Sequence, residues 1–264
     1  MEHAKTTGSK QTKKEEMKIG ILACGFQCAE YFERVLKPWI EYKQNHDVII
    51  SAVSARFKEA EETFKDGTRE LMLHAFNTGK IDYLALPSGF FEEAIVRNLA
   101  LSPLLQQKCD VIWLLDFDEI YTVEKIERIV KFVENNQFTT WFKIRFKNYV
   151  IDKHHYVSDF VPPRIFRTEN LAEFYYDNDP HYYVDGGKVS YKNTSNMEIP
   201  SAIAVIDHYS WIGSPERLKH KLKYQNAHFN GICSYRWDEQ NNKLALNMDF
   251  YQKYNLPIPT IYEE

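Results

Sequence analysis

The sequence predicts an α/β fold with a central, mostly parallel mixed sheet and helices on both faces. Two observations predict it. Four short apolar runs, at residues 18–23, 48–53, 81–86 and 111–115, have the length and flanking turn residues of buried strands. Each is followed by apolar residues at helical spacing. Strand followed by helix four times over residues 17–134 is the pattern of parallel strands with crossover helices.

Residues 1–16 are polar and without period, so they are expected to form a disordered tail, with order beginning at Met17. The first strand ends in Cys24-Gly25. Phe32, Val35, Leu36, Trp39 and Ile40 then line one face of a helix that Pro38 should kink. The second strand runs into Ser54. A helix around residues 71–76 should stop at Gly79, and the third strand closes at Pro87-Ser88-Gly89. Phe91, Ala94, Ile95 and Leu99 mark a helix ending near Pro103. The fourth strand is the most hydrophobic and runs straight into Asp116-Phe117-Asp118-Glu119, before a helix carrying Ile126, Ile129, Val130 and Val133. Beyond residue 134, Thr140, Phe142, Ile144 and Phe146 alternate with Trp141, Lys143, Arg145 and Lys147, which predicts one strand with a wet face. Residues 164–167 and 202–208 read as further strands. Ser214-Pro215-Glu216 opens a helix with a cap, a proline and an acid. No repeat or Gly/Ser-rich linker divides the chain, so residues 17–264 are expected to form a single domain sharing one sheet and one core.

Composition narrows the function. With 44% apolar and 27% charged residues, the 264-residue chain should fold around a substantial core. A net charge of −4 argues against bulk binding to a nucleic-acid backbone. No run of about 18 apolar residues suggests a membrane span. Cys24, Cys28, Cys109 and Cys233 lack zinc spacing and are too few for a disulfide scaffold, so they read as buried thiols of a cytoplasmic protein.

The strongest chemical signal is Asp116-Phe117-Asp118-Glu119. Carboxylates two apart on an extended chain point the same way and suit a hard divalent cation completed by substrate phosphates. The plainer alternative is that these acids favour the N-terminus of the next helix. Ligands of such sheets bind outside the carboxyl ends of the strands, where Asp116 and Asp118 lie.

These residues resemble the GT-A glycosyltransferases, in particular family-two-like enzymes. Val96-Arg97-Asn98 stands where those enzymes often show Ala-Arg-Asn. Arg164-Ile165-Phe166-Arg167 is similar to their Arg-Leu-Phe-Arg strand. Asp207-His208-Tyr209-Ser210-Trp211 and the basic helix with Lys221 and Tyr224 resemble their late histidine and lysine-bearing helix. The ordered set spans roughly residues 17–225. It departs from the pattern at the second strand, where Ser51 to Arg56 offers no acid to read a base.

The resemblance implies a GT-A-like three-layer α/β/α sandwich. It also implies metal-dependent transfer of a sugar from a nucleotide-diphosphate sugar, preferably a UDP-sugar, to an acceptor hydroxyl with inversion. Residues 17–134 would hold the donor and 135–264 the acceptor. A manganese or magnesium ion would be bound by Asp118 directly and by His208 as a third ligand, while Asp116 would hold the ribose or the metal through water. Ala23, Cys24, Gly25, Ser54, Arg97, Asp116 and Lys221 are the expected donor-binding set. Arg217 and Lys221 share one side of the late helix and could close on phosphate; Leu218 and Leu222 face the other. Asp179, Asp185 and His181 are the candidates to take the acceptor proton. The acceptor, a glycan, lipid, protein or modified nucleic-acid base, is expected to meet the aromatics of the second half: Tyr175, Tyr176, Tyr182, Tyr183 and Trp211.

Two other readings compete. A haloacid-dehalogenase-like phosphatase also uses Asp-x-Asp after an apolar strand. Its motif belongs on the first strand and ends in Thr or Val, where this chain has its fourth strand and Ile120. A non-catalytic nucleotide or glycan module would keep the apolar framework without needing Asp118 or His208.

Overall fold

The computed structural model describes residues 16–54, 56–57, 66–91, 93–150, 152–158, 160–171, 174–176, 182–184, 195–228 and 233–263. Its main sheet has seven strands, in the order Asn196–Glu198, Trp141–Lys143, Pro163–Arg167, Val111–Asp116, Ile19–Cys24, Val48–Val53 and Tyr83–Ala85. Pro163–Arg167 is antiparallel to both its neighbours and the other pairings are parallel. This is the α/β class with a mostly parallel mixed sheet that the apolar runs predict.

Strand parity decides which side chains go to which face. Ile19, Ile21 and Ala23 share a core with Val111, Trp113 and Leu115, while Leu22 and Cys24 share the opposite one with Ile112 and Leu114. Helices α1 (Phe32–Lys43), α2 (Thr68–Asn77) and α4 (Val123–Asn135) cover the first face, and α3 (Glu93–Gln106) the second. Trp39 of α1 meets Trp113 edge-on at 4.7 Å between ring centroids. Such a pair adds about 0.5–1.5 kcal/mol beyond the area it buries.

Both helix-interior prolines are tolerated. α1 continues through Pro38, carrying Trp39 and Tyr42 into the core beyond it. α3 does not end near Pro103 but runs to Gln106, because Leu104 lies buried past the proline. In each case burial offsets a backbone penalty of about 3 kcal/mol.

Two strand expectations need correction. Residues 140–147 do not form one strand. Trp141–Lys143 belongs to the main sheet, whereas Phe146–Tyr149 joins a five-stranded sheet with Tyr262–Glu263, His155–Val157, Ile206–His208 and Glu119–Ile120. The chain changes sheets at Ile144 and Arg145, and Trp141 is buried instead of facing water. The two halves therefore share the main sheet and its core, and the second half also supplies most of a second sheet. The strand read over 202–208 is only Ile206–His208, since Ile203 and Ala204 donate back to the Pro200 carbonyl in a turn. A third apolar cluster joins Val150, Val157 and Trp211 to Leu218 and Leu222 of α5 (Pro215–His228). Among the described residues no helix is long and apolar enough to cross a membrane.

Candidate active site

The strand Val111–Asp116 stops at Asp116. A two-residue turn follows, and the chain re-enters extended structure at Glu119–Ile120. Asp118 lies in that turn and not on the strand, so the two aspartates are not carried by a fully extended chain, although each stands in the other's electrostatic neighbourhood. The helix-start alternative is not seen either: α4 is capped by Thr122, whose Oγ1 accepts the Lys125 amide at 3.2 Å.

Asp116 follows the parity of Ile112 and Leu114, which puts it on the α3 side. Arg97 of α3 donates to its Oδ1 at 3.1 Å, and Arg164 from the neighbouring antiparallel strand donates to its Oδ2 at 3.1 Å. Both arginines are only 4% exposed. Burial pushes the Asp116 carboxyl up, but the two guanidinium groups outweigh it and hold the group below its usual value. Arg97 is thus no solvated helix charge.

Glu119 is fully buried, and Arg164 Nε donates to its Oε1 at 2.8 Å. Tyr121 donates to Glu119 at 3.3 Å and accepts from Trp113 Nε1 at 3.3 Å. Burial pushes Glu119 up to about 8 against the pull of Arg164. The Glu119–Arg164 pair is a foundation beneath Asp116 that the sequence reading missed. Its signal was present: an arginine in an otherwise apolar strand next to an acidic motif needs a buried partner.

Asp118 gathers the late part of the chain. His208 pairs with Glu119 across an antiparallel ladder, and the Tyr209 amide donates to the Asp118 carbonyl at 2.8 Å. That register brings His208 Nε2 to 3.3 Å from Asp118 Oδ1, across ninety positions of sequence. The imidazole is buried beside the Phe146 and Phe160 rings. From α5, Arg217 Nη2 and Lys221 Nζ each lie 3.7 Å from Asp118 Oδ2. Burial raises the Asp118 carboxyl, but His208, Lys221 and Arg217 together pull it far below the ordinary range. Burial likewise lowers Lys221 to about 8 against the attraction of Asp118. Lys221 also donates to Ser210 Oγ.

Helix α5 has two faces, as the spacing predicts. Ser214 Oγ accepts the Arg217 amide at 3.3 Å and starts the helix; Leu218 and Leu222 enter the third cluster, and Arg217 and Lys221 turn to Asp118. The Asp118 cluster therefore draws on both halves of the chain.

The remaining donor-binding candidates surround the carboxyl edge of the sheet. Ala23 is buried within its strand, and Cys24 packs on the α3 side. A Cβ on Gly25 would lie 2.7 Å from Cys28 Sγ and from Met72 Cε, so only glycine fits without displacement. Ser54 is fully buried and its Oγ has no hydrogen-bond partner among the described residues. Asp179, His181 and Asp185 lie outside the described residues. Tyr175, Tyr176, Tyr182 and Tyr183 belong to two antiparallel strands, Phe174–Tyr176 and Tyr182–Val184. Trp211 is buried against Tyr235.

Among the described residues no group of three His, Cys, Asp or Glu side chains is arranged to hold a metal ion. Asp118 and His208 nevertheless fit as a pair. Ligands of an octahedral cation at about 2.1 Å stand about 3 Å apart, and the 3.3 Å between Oδ1 and Nε2 is close to that. An oxygen and an imidazole nitrogen suit manganese, with water and phosphate oxygens filling the other positions.

No protein-family model matches the chain, and no curated protein matches it. Solved structures do resemble it. S. aureus TarS 1–349 in complex with UDP is 15% identical with a TM-score of 0.49, over 86% of this chain and 68% of that one. The mannosyltransferase PcManGT from Pyrobaculum calidifontis, in complex with GDP-Man and Mn2+, is 13% identical with a TM-score of 0.49, over 83% of this chain and 66% of that one. Against the longer S. aureus TarS chain the match spans 41% of that structure.

Proposed function

We propose that the protein is a glycosyltransferase that moves a sugar from a nucleotide-diphosphate sugar, a UDP-sugar in the first instance, to an acceptor hydroxyl with inversion. One observation carries the reading. Asp118, at the carboxyl edge of a mostly parallel sheet, is met by His208, Lys221 and Arg217 from a part of the chain ninety or more positions away. A carboxylate and an imidazole beside two cations suit a metal-bound diphosphate. A haloacid-dehalogenase-like phosphatase would carry its Asp-x-Asp after the first strand, whereas Asp116 and Asp118 come at the end of Val111–Asp116, later in the chain than three other strands of the main sheet.

Each group then has a task. Arg97 and Arg164 keep Asp116 ionised, so that it can accept hydrogen bonds from the ribose hydroxyls. Asp118 and His208 hold manganese or magnesium, which when bound neutralises charge on the departing nucleoside diphosphate. Lys221 donates to the same phosphates. A carboxylate or imidazole among Asp179, His181 and Asp185 takes the acceptor proton as the new glycosidic bond forms and the bond to phosphate breaks. The acceptor meets residues of the second half, and its class is open.

A thermal-shift panel of nucleoside diphosphates and nucleotide-sugars, with and without manganese, tests the reading. Ligand at 100 times its dissociation constant adds about 2.7 kcal/mol. UDP with manganese should shift melting more than either alone, and metal-dependent release of UDP from a UDP-sugar should follow. A larger shift with a guanosine or cytidine diphosphate removes the uridine assignment. No shift with any nucleotide removes the function.

A further inference from the structure

We infer that Arg217 is a positioning residue that ties the loop after the first strand to the Asp118–His208 pair, leaving Lys221 as the phosphate-binding cation of α5. The inference rests on the nucleotide-diphosphate reading above and divides two residues that the sequence presents as equals.

The division follows from what each side chain holds. Arg217 donates to three backbone carbonyls: Nη1 to Ile212 at 2.7 Å and Ser210 at 3.3 Å, and Nε to Gln27 at 3.2 Å. Its guanidinium lies over the Tyr31 ring, 5.4 Å from the centroid, and the Tyr31 hydroxyl donates to the same Ile212 carbonyl at 2.9 Å. A planar fork fixed this way cannot swing to a phosphate without releasing both loops. Gly213 is built to admit it. Its φ of +146° is a glycine conformation, and a Cβ there would meet Arg217 Cδ at 3.1 Å. Lys221 shares with Arg217 the 3.7 Å approach to Asp118 but holds no backbone carbonyl in these contacts: it rests on the Ser210 hydroxyl and over the Trp211 ring, 5.2 Å from the centroid. A single ammonium on a flexible stem can turn to an incoming phosphate while Ser210 and Asp118 remain in place.

The tie spans elements with no sequence relation. Gln27 is 190 positions from Arg217 and lies just past Gly25, at the carboxyl edge where the nucleoside should dock. Ser210 and Ile212 directly follow His208. Arg217 thereby fixes the nucleoside side of the site relative to Asp118 and His208. Its loss should weaken binding of the nucleoside and of the diphosphate by the same factor. Loss of Lys221 should weaken only the phosphate contribution.

The test uses the full chain with Arg217→Lys, Arg217→Met and Lys221→Met. Two quantities are measured: amide hydrogen exchange without ligand, and dissociation constants for uridine and UDP in saturating manganese. Both Arg217 variants should speed exchange across residues 25–31 and 208–214. Both should weaken uridine and UDP alike, by about tenfold, and Arg217→Lys should not rescue, because it restores the charge but not the fork. Lys221→Met should weaken UDP by about tenfold, a single charge-assisted contact, and leave uridine unchanged. The inference is overturned if Arg217→Lys restores UDP affinity, if exchange at 25–31 is unchanged in Arg217→Met, or if Lys221→Met leaves the UDP-to-uridine ratio intact. Should the unmutated protein bind neither ligand, the nucleotide reading falls and the assignment to Lys221 falls with it; the exchange data then still decide whether Arg217 ties the loops.

Discussion

Replacing Arg164 with Met should destabilise the protein by about 3 kcal/mol, because the arginine is the buried partner of Glu119, which has no access to water, and also faces the partly exposed Asp116. Arg164 is 4% exposed and Glu119 not at all, and the same guanidinium reaches Asp116 at 3.1 Å. Removing one partner of a buried pair costs about 3–5 kcal/mol. The lower end applies here for two reasons. Arg97 still faces Asp116, and Glu119 can shed its charge by taking a proton, since burial already pushes it up to about 8. At about 2–4 °C per kcal/mol for a chain of this size, melting should drop by about 6–12 °C. A folded-state value above the ordinary 4.5 means that the folded protein binds this proton more tightly than the unfolded chain does. Its stability contribution is therefore full at low pH and fades as pH rises through about 8. Without Arg164 that fading should be steeper, so the gap between variant and parent should be smaller at pH 5 than at pH 8. Urea denaturation followed by circular dichroism at both pH values measures it. The paired variant Arg164→Met with Glu119→Leu should recover part of the loss, showing direct coupling. A single-variant change below about 1 kcal/mol, or no recovery in the pair, would refute the claim that these charges balance each other.

Other outcomes follow from the same contacts. Gly25→Ala should cost about 1–3 kcal/mol by overpacking, since its Cβ would press on Cys28, Met72 and Phe117; an unchanged urea midpoint would show that the turn relaxes freely. All four cysteines are buried and free, and burial pushes the Cys28 thiol far up and Cys109 to about 11. Native protein at pH 7.5 should react slowly with a thiol reagent and release the full count of four only on unfolding; rapid native labelling would contradict their burial. Phe138, 98% exposed, should tolerate Ser with a stability change within about 0.5 kcal/mol, and a larger loss would place it in an interface.

The parallel strands were legible in the sequence because buried strands of this kind are continuous apolar runs that need little context. Residues 111–116 show this most clearly: apolar up to the residue where function begins. The late helix was legible too, since Ser214, Pro215 and Glu216 form a local start signal. Pro103 misled because a breaker's local cost was outweighed by the distant burial of Leu104. Residues 140–147 misled because an alternating pattern says nothing of a change of sheet. At the site, Asp118 and His208 were identified as types, but their meeting depends on the Glu119–His208 register, a long-range pairing with no local trace. Arg164 and Glu119 were each noted within a motif, but their pairing was not, because it exists only once the strands are set side by side. The roles of Arg217 depend on backbone carbonyls, which the sequence does not distinguish.

The central claim is that Asp118 and His208 act as one unit around a cation, and the manganese dependence of UDP binding tests it most directly. The titration would be run on the unmutated protein, Asp118→Ala, His208→Ala and the double variant, with circular dichroism confirming that each remains folded. Each single substitution should raise the manganese concentration required by about tenfold or more, and the double should be little worse than either single, as expected of groups that work together. If His208→Ala stays folded and leaves the metal requirement unchanged, or if the two losses simply add, the shared cation site does not exist.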